Sequence, residues 1–263
     1  MKYDFASYMR LLLPVQLILL GIAALNRIVQ LFETDSSVYN TVFISSTVLY
    51  VISIFVAIVL TFIISIVRFY QGMYSNEGYL SHTLPVTPTQ HIFSKLLVSF
   101  LFYLGTFLAI FLSFEIATLG KMNIEIFKAF GYLFGKLTAE TDGQFVLYFI
   151  EGILYLLVAV FSSTLMMYFC ISIGQLAQKR KILLAFGVYF GLYVIRQILG
   201  TILIVIGTVV GFDFWQSITE WISEHTVAAI HLLLCGLIVI ELLIGAVYFF
   251  VTRYIMSKKL NLA

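Results

Sequence analysis

Apolar residues fill this chain in long unbroken stretches, and its polar residues gather in short breaks between them. A run of about 20 apolar residues makes an α-helix long enough to cross ~30 Å of hydrocarbon. Six such spans are predicted, at about 11–32, 42–69, 92–119, 145–173, 182–212 and 227–251. The runs do not alternate polar with apolar, which separates helices from the strands of a membrane barrel. Pro14 and Arg27 interrupt the first span, and the second and fifth are longer than a bilayer needs, which predicts tilt or extension beyond it. The pattern leaves open whether the fifth is one helix or breaks near Gly207 and Gly211.

Two breaks have helical periodicity of their own. In "KMNIEIFKAFGYLFGKLTAETDG" the residues Ile124, Phe127, Phe130, Leu133 and Phe134 recur at helical spacing, and in "DFWQSITEWISEH" Phe214, Ile218, Trp221 and Ile222 form one stripe. Both read as amphipathic helices on the outer membrane surface, with Trp215 and Trp221 suited to the headgroup level. The leader "MKYDFASYMRLLLP" is expected to form an interfacial helix on the inner surface, with Tyr3, Phe5, Tyr8 and Met9 toward lipid.

Composition agrees with this picture. Of 263 residues, 62% are hydrophobic and 11% charged, with a mean hydropathy of +1.06, which excludes a soluble domain of this size. The expected architecture is an all-α polytopic membrane protein with one membrane domain over residues 1–263. The first apolar run lacks a small-residue cleavage site, so the amino terminus is expected to be retained. Cys170 and Cys235 lie inside apolar runs without partner spacing, and read as packing residues.

Charge sets the orientation. With the amino terminus in the cytoplasm, ten basic residues fall inside, among them Lys2, Arg10, Arg68, Lys95, Lys179, Arg180 and Arg253, against Lys121, Lys128 and Lys136 outside. The positive-inside rule then predicts two cytoplasmic termini in a multi-pass protein of the cell membrane. The net charge of +2 points to no nucleic-acid partner.

Candidate chemistry is sparse. His82, His91, His225 and His231 form no H-E-x-x-H frame, and no G-x-S-x-G elbow or Walker motif occurs. No catalytic or metal-ligating residue is nominated, so the chain is not expected to be an enzyme. Buried charges say more. Arg27, Glu115 and Glu151 lie close enough to span ends to snorkel. Arg196 and Glu241 lie deeper, each 14 residues past the start of its predicted span, at Ile182 and Val227. If their helices are neighbours the two meet at similar depth, as a structural ion pair or a transported-ion site.

The polar break at residues 73–95 has a charged start, "SNEGYL", then "TLPVTPTQ", where Pro85 and Pro88 impose extended or turn geometry before a helix begins near Thr89 or Gln90. Tyr79, Leu80, Leu84 and Val86 suit either a protein partner or the bilayer surface. The run "EGYLSHTLPVTPTQHIFSKLL", residues 77–97, resembles the segment between the second and third spans of bacterial ABC transporter permeases of the ABC-2 export type: an acidic-glycine start, "TLP", then a lysine entering the next helix. The six-span layout and the basic ending "RYIMSKKLNLA", similar to tails of these permeases in Gram-positive bacteria, extend the resemblance over the whole chain.

The resemblance implies that residues 73–91 form a coupling loop docking on a separate ATP-binding subunit. Its contacts would be Glu77, Gly78, Tyr79, Leu80, Thr83, Leu84 and Pro85, with Gln178, Lys179 and Arg180 of "GQLAQKRK" as a second cytoplasmic contact. It further implies a second permease copy or a homologous permease, export of a hydrophobic or peptide-like cargo such as an antimicrobial peptide, drug or lipid, and no cofactor on this chain, ATP and Mg belonging to the partner ATPase. Without a large extracellular domain or a fused nucleotide-binding domain, no particular cargo is signalled. Two other classes stay open: an ion-gradient-driven carrier that depends on Glu241, and a non-transporting sensor or assembly subunit.

Overall fold

The computed structural model describes every residue except 1, 33, 76, 77, 79–85, 142, 178, 210, 211 and 259–263. Its elements are helices throughout: α1 (Lys2–Leu31), α2 (Ser37–Tyr74), α3 (Pro88–Ala117), α4 (Lys121–Glu140), α5 (Gln144–Gly174), α6 (Lys181–Val209), α7 (Phe212–Glu224) and α8 (Thr226–Lys258). Among the described residues six of them, α1, α2, α3, α5, α6 and α8, are long and apolar enough to cross a membrane. Their uncovered faces are lined with Leu, Ile, Val and Phe, a surface that hydrocarbon solvates and water does not. The chain is a multi-pass helical membrane protein.

Two compact units divide the chain, residues 1–135 and 136–263. In the first, α1 packs on both α2 and α3. Leu19, Ala23, Tyr50, Ala57 and Ala117 form one buried cluster, and Tyr8, Leu12, Val98 and Phe102 form another. Cross-helix hydrogen bonds show the register: Tyr8 meets Ser99 and Gln16 meets Thr106, separations of 91 and 90 residues, so α1 and α3 run parallel without slippage. α2 runs against them, with Tyr8 reaching Ser65 near one end of α1 and Asn26 reaching Thr47 near the other. The start of α1, the end of α2 and the start of α3 therefore gather at one end of the unit.

In the second unit α5 packs most extensively on α8, and also on α6, while α7 touches α6 and α8. Glu151 contacts His231, Ser162 faces Gly245 and the Phe169 ring lies tilted against that of Tyr248, so α5 and α8 are parallel. A Cβ on Gly245 would lie 3.6 Å from Ser162, and this pair of small residues lets the helices approach closely where no aqueous hydrophobic effect drives them together.

Two expectations change, for the leader and for Tyr8. The leader is no separate interfacial helix: α1 is continuous from Lys2 through Pro14. Tyr8 and Leu12 before the proline, and Leu19 and Ala23 after it, are all buried, and their packing holds one helix together across the lost backbone bond. Tyr8 faces the interior and not lipid, whereas Phe5 and Met9 are exposed. The helix after the polar break begins at Pro88, where Thr87 and Gln90 exchange the two bonds of a capping box. The fifth span is one helix to Val209, through Gly207; Gly211 lies outside the described residues.

Both amphipathic segments are helical. In α4, Ile124, Phe127, Phe130 and Leu133 are exposed, and in α7 Trp221 and Ile222 are exposed.

Candidate functional site

Helix α2 ends at Tyr74, and the chain turns back at once, with the Gly78 amide donating to the Ser75 carbonyl over 2.7 Å. Gly78 is buried against the preceding helix: a Cβ there would sit 2.6 Å from the carbonyl carbon and oxygen of Met73. Only glycine fits that approach. Of the residues nominated for this connection, Gly78 is the one described; Glu77, Tyr79, Leu80, Thr83, Leu84 and Pro85 lie outside the described residues.

At the start of α3 lies a charge pair that sequence reasoning did not find. Lys95, 7% exposed, directs its ammonium to the carboxylate of Asp4 in the first turn of α1. Gly72 of α2 closes over it, since a Cβ at that position would meet Lys95 Nζ at 2.5 Å. One turn further in, the Tyr8 hydroxyl bonds Ser99 Oγ at 2.9 Å and lies 3.4 Å from the Ser65 carbonyl, with the ring stacked on Phe102. Asp4 and Tyr8 stand four residues apart, as do Lys95 and Ser99, so each helix presents its two polar groups on one face. That matched spacing was the available signal.

Further along the same unit, Gln16 donates to Thr106, which bonds Thr61 at 2.9 Å, and Tyr50 meets Ser113 at 3.1 Å. These interhelical bonds satisfy polar side chains that α1, α2 and α3 carry into the apolar interior, among them Gln16, Tyr50, Thr61, Thr106 and Ser113. Of the charges near span ends, Arg27 donates to Gln30 at 2.9 Å, and Glu115 accepts from Asn123 at 2.6 Å.

In the second unit the connection between α5 and α6 contains Lys179 and Arg180, both exposed; Gln178 lies outside the described residues. Arg180 adopts the left-handed conformation, φ 59°, and its carbonyl accepts the Leu184 amide in the first turn of α6. Gly174 makes the tight return possible, as a Cβ there would stand 2.7 Å from the Lys181 carbonyl oxygen and 2.8 Å from Ala185 Cβ.

Arg196 and Glu241 do meet, joining α6 to α8 through a 2.9 Å bond from the guanidinium to Glu241 Oε1. Glu151, near a span end, has a partner: both its oxygens lie 2.8–2.9 Å from His231 Nδ1, and the Tyr148 ring stands 4.7 Å from the imidazole. His231 lies 80 residues from Glu151, and no local pattern connects them. Among the described residues no three His, Cys, Asp or Glu side chains gather as a metal site. Cys170 is buried and Cys235 exposed, both as free thiols. No protein family, characterised protein or solved structure matches the chain.

Proposed function

We propose that the chain is the membrane-spanning permease subunit of an ATP-driven exporter of the ABC-2 type, placed in the cell membrane with both termini in the cytoplasm. The observation that carries this reading is the packing of the helix ends between which residues 75–87 run. The end of α2 closes on the start of α3 through Gly72 and Lys95, Lys95 ties both to α1 through Asp4, and Gly78 packs back on Met73 of α2. A push on the connection would reach three membrane helices at once, which is what a coupling loop needs. The sequence of that connection, Glu77 to Pro85, resembles the loop of these permeases, and Lys179 and Arg180 offer a second exposed basic contact. Nucleotide chemistry, with ATP and Mg, belongs to the partner ATPase, and a second permease, identical or homologous, completes the pathway. The cargo class is hydrophobic or peptide-like.

The test is co-expression of the tagged chain with a candidate ATP-binding subunit, followed by purification in detergent. Wild type should retain an active ATPase and a Glu77→Ala, Leu84→Asp double variant should release it. Wild type that retains no ATPase, or a double variant that behaves like wild type, would sink the reading. The Arg196–Glu241 pair favours a second one, an ion-gradient-driven carrier, in which transport depends on Glu241 and on a proton or sodium gradient without any ATPase.

A further inference from the structure

Arg196 stands near the middle of the apolar length of α6, 14 residues after Ile182 and 13 before Val209 (196 − 182 and 209 − 196). It lies within the stretch of α6 that is long and apolar enough to cross a membrane, Lys181–Ile202, so hydrocarbon surrounds its helix at that depth. Its side chain is nonetheless 46% exposed, while that of its partner Glu241 is 18% exposed. Glu241 neutralises the charge but accepts through one guanidinium nitrogen only. A guanidinium has five N–H donors, and donors facing hydrocarbon are expensive to leave unmet.

The residues around Arg196 show what meets them. Tyr189, Tyr193, Arg196 and Gly200 follow at i, i+4, i+7 and i+11, which places them within about 60° of arc on one side of the helix. All four are exposed, Tyr193 at 61%, and a Cβ on Gly200 would meet nothing within 4 Å. A different side of the same helix carries Leu183, Phe190 and Val194, also exposed, with Gln197 and Thr201 beyond them. One helix thus presents an apolar exposed surface over residues 183–194 and, beside it, a stripe that carries the charge and the two phenols. The stripe contains no acid to pair with the arginine of a second copy, and two copies meeting through it would bring like charges together. Among the described residues Glu241 alone accepts from the guanidinium and none accepts from the two phenols; water supplies acceptors without adding charge.

We propose that the Tyr189, Tyr193, Arg196 and Gly200 face of α6 lines a water-filled path within the membrane, with Glu241 holding the arginine in place. This goes beyond the exporter reading and does not require it: a hydrated face serves an exporter or a gradient-driven carrier equally.

Thiol chemistry tests it, because a charged, membrane-impermeant maleimide reacts with a cysteine thiolate only where water reaches it. In a background with Cys170→Ala and Cys235→Ser, single cysteines replace Tyr189, Tyr193 and Gly200, and, as lipid-facing controls, Leu183, Phe190 and Val194. Each variant is first checked for a wild-type elution profile in detergent, then labelled in intact cells and in inverted vesicles. The stripe should react at least tenfold faster than the controls from one side of the membrane. Equal rates at the two sets would overturn the proposal, as would stripe cysteines that resist the reagent yet form disulfides between two copies on oxidation, which would make the face an interface. ATPase copurification is read separately, so a labelled stripe without a bound ATPase rejects the exporter and keeps the hydrated path, and a bound ATPase over an unlabelled stripe does the reverse.

Discussion

The ammonium of Lys95, buried in the second turn of α3, pairs with the carboxylate of Asp4 in the first turn of α1, 91 residues earlier in the chain. Tyr8 and Ser99 repeat the same separation one turn further in. Two contacts with one offset make a rigid parallel seam between the helices, polar at one end and continued by Leu12, Val98 and Phe102. The seam's polar end lies where α2 ends and α3 begins, so the chain's first helix is packed against both helices that the connection joins.

Removing one partner of the pair should cost more than removing both. Lys95→Met leaves Asp4 without its cation in a largely desolvated position, and a loss on the order of 2 kcal/mol is expected, below the full cost of a broken buried pair because the Asp4 side chain is 25% exposed. Asp4→Asn with Lys95→Met should recover part of it. Thermal unfolding in detergent of the two single variants and the double variant measures this, and equal melting temperatures for all four proteins would refute it.

Tyr8→Phe keeps the ring on Phe102 and deletes only the hydroxyl that meets Ser99. A loss of about 1 kcal/mol is expected for the hydrogen bond, and Tyr8→Ala should cost roughly 3 kcal/mol or more because a fully buried aromatic ring is emptied from the cluster. The ratio between the two variants in the same unfolding assay is the check; had Tyr8 faced lipid, both would be close to neutral.

Glycines at contrasting positions should respond in opposite directions. Gly78→Ala forces a methyl group to within 2.6 Å of the Met73 backbone, so the turn must shift, at about 1–3 kcal/mol. On the exporter reading it should also weaken ATPase retention. Gly152→Ala, inside α5 with nothing within 4 Å of the added Cβ, should stabilise by about 0.5–1 kcal/mol through helix propensity alone. A destabilised Gly152→Ala, or a neutral Gly78→Ala, would contradict the packing described.

Glu151 and His231 should prove energetically coupled. A double-mutant cycle with Glu151→Ala and His231→Ala, read by unfolding, is expected to give an interaction of about 1 kcal/mol. Strict additivity would mean that the 2.8 Å contact between α5 and α8 contributes nothing. The same cycle on Arg196 and Glu241 compares a pair at mid-span with one near the helix starts.

By itself the sequence determined the helices and their number of membrane passages. Each predicted span falls on a helix of the structure, and both amphipathic breaks are helical, because in lipid the backbone must satisfy its own hydrogen bonds within the segment, a requirement that a local run of residues meets or fails alone. Equal depth for Arg196 and Glu241 was legible for the same reason, since depth is a count along a helix. Whether α6 and α8 bring the two together was decided by packing. So were the burial of Tyr8, the pairing of Lys95 with Asp4 and that of Glu151 with His231, each across 80 or 91 residues. A side chain's position on its helix follows from local periodicity, but the partner it meets depends on which faces of distant helices come into contact, and only the tertiary structure contains that information.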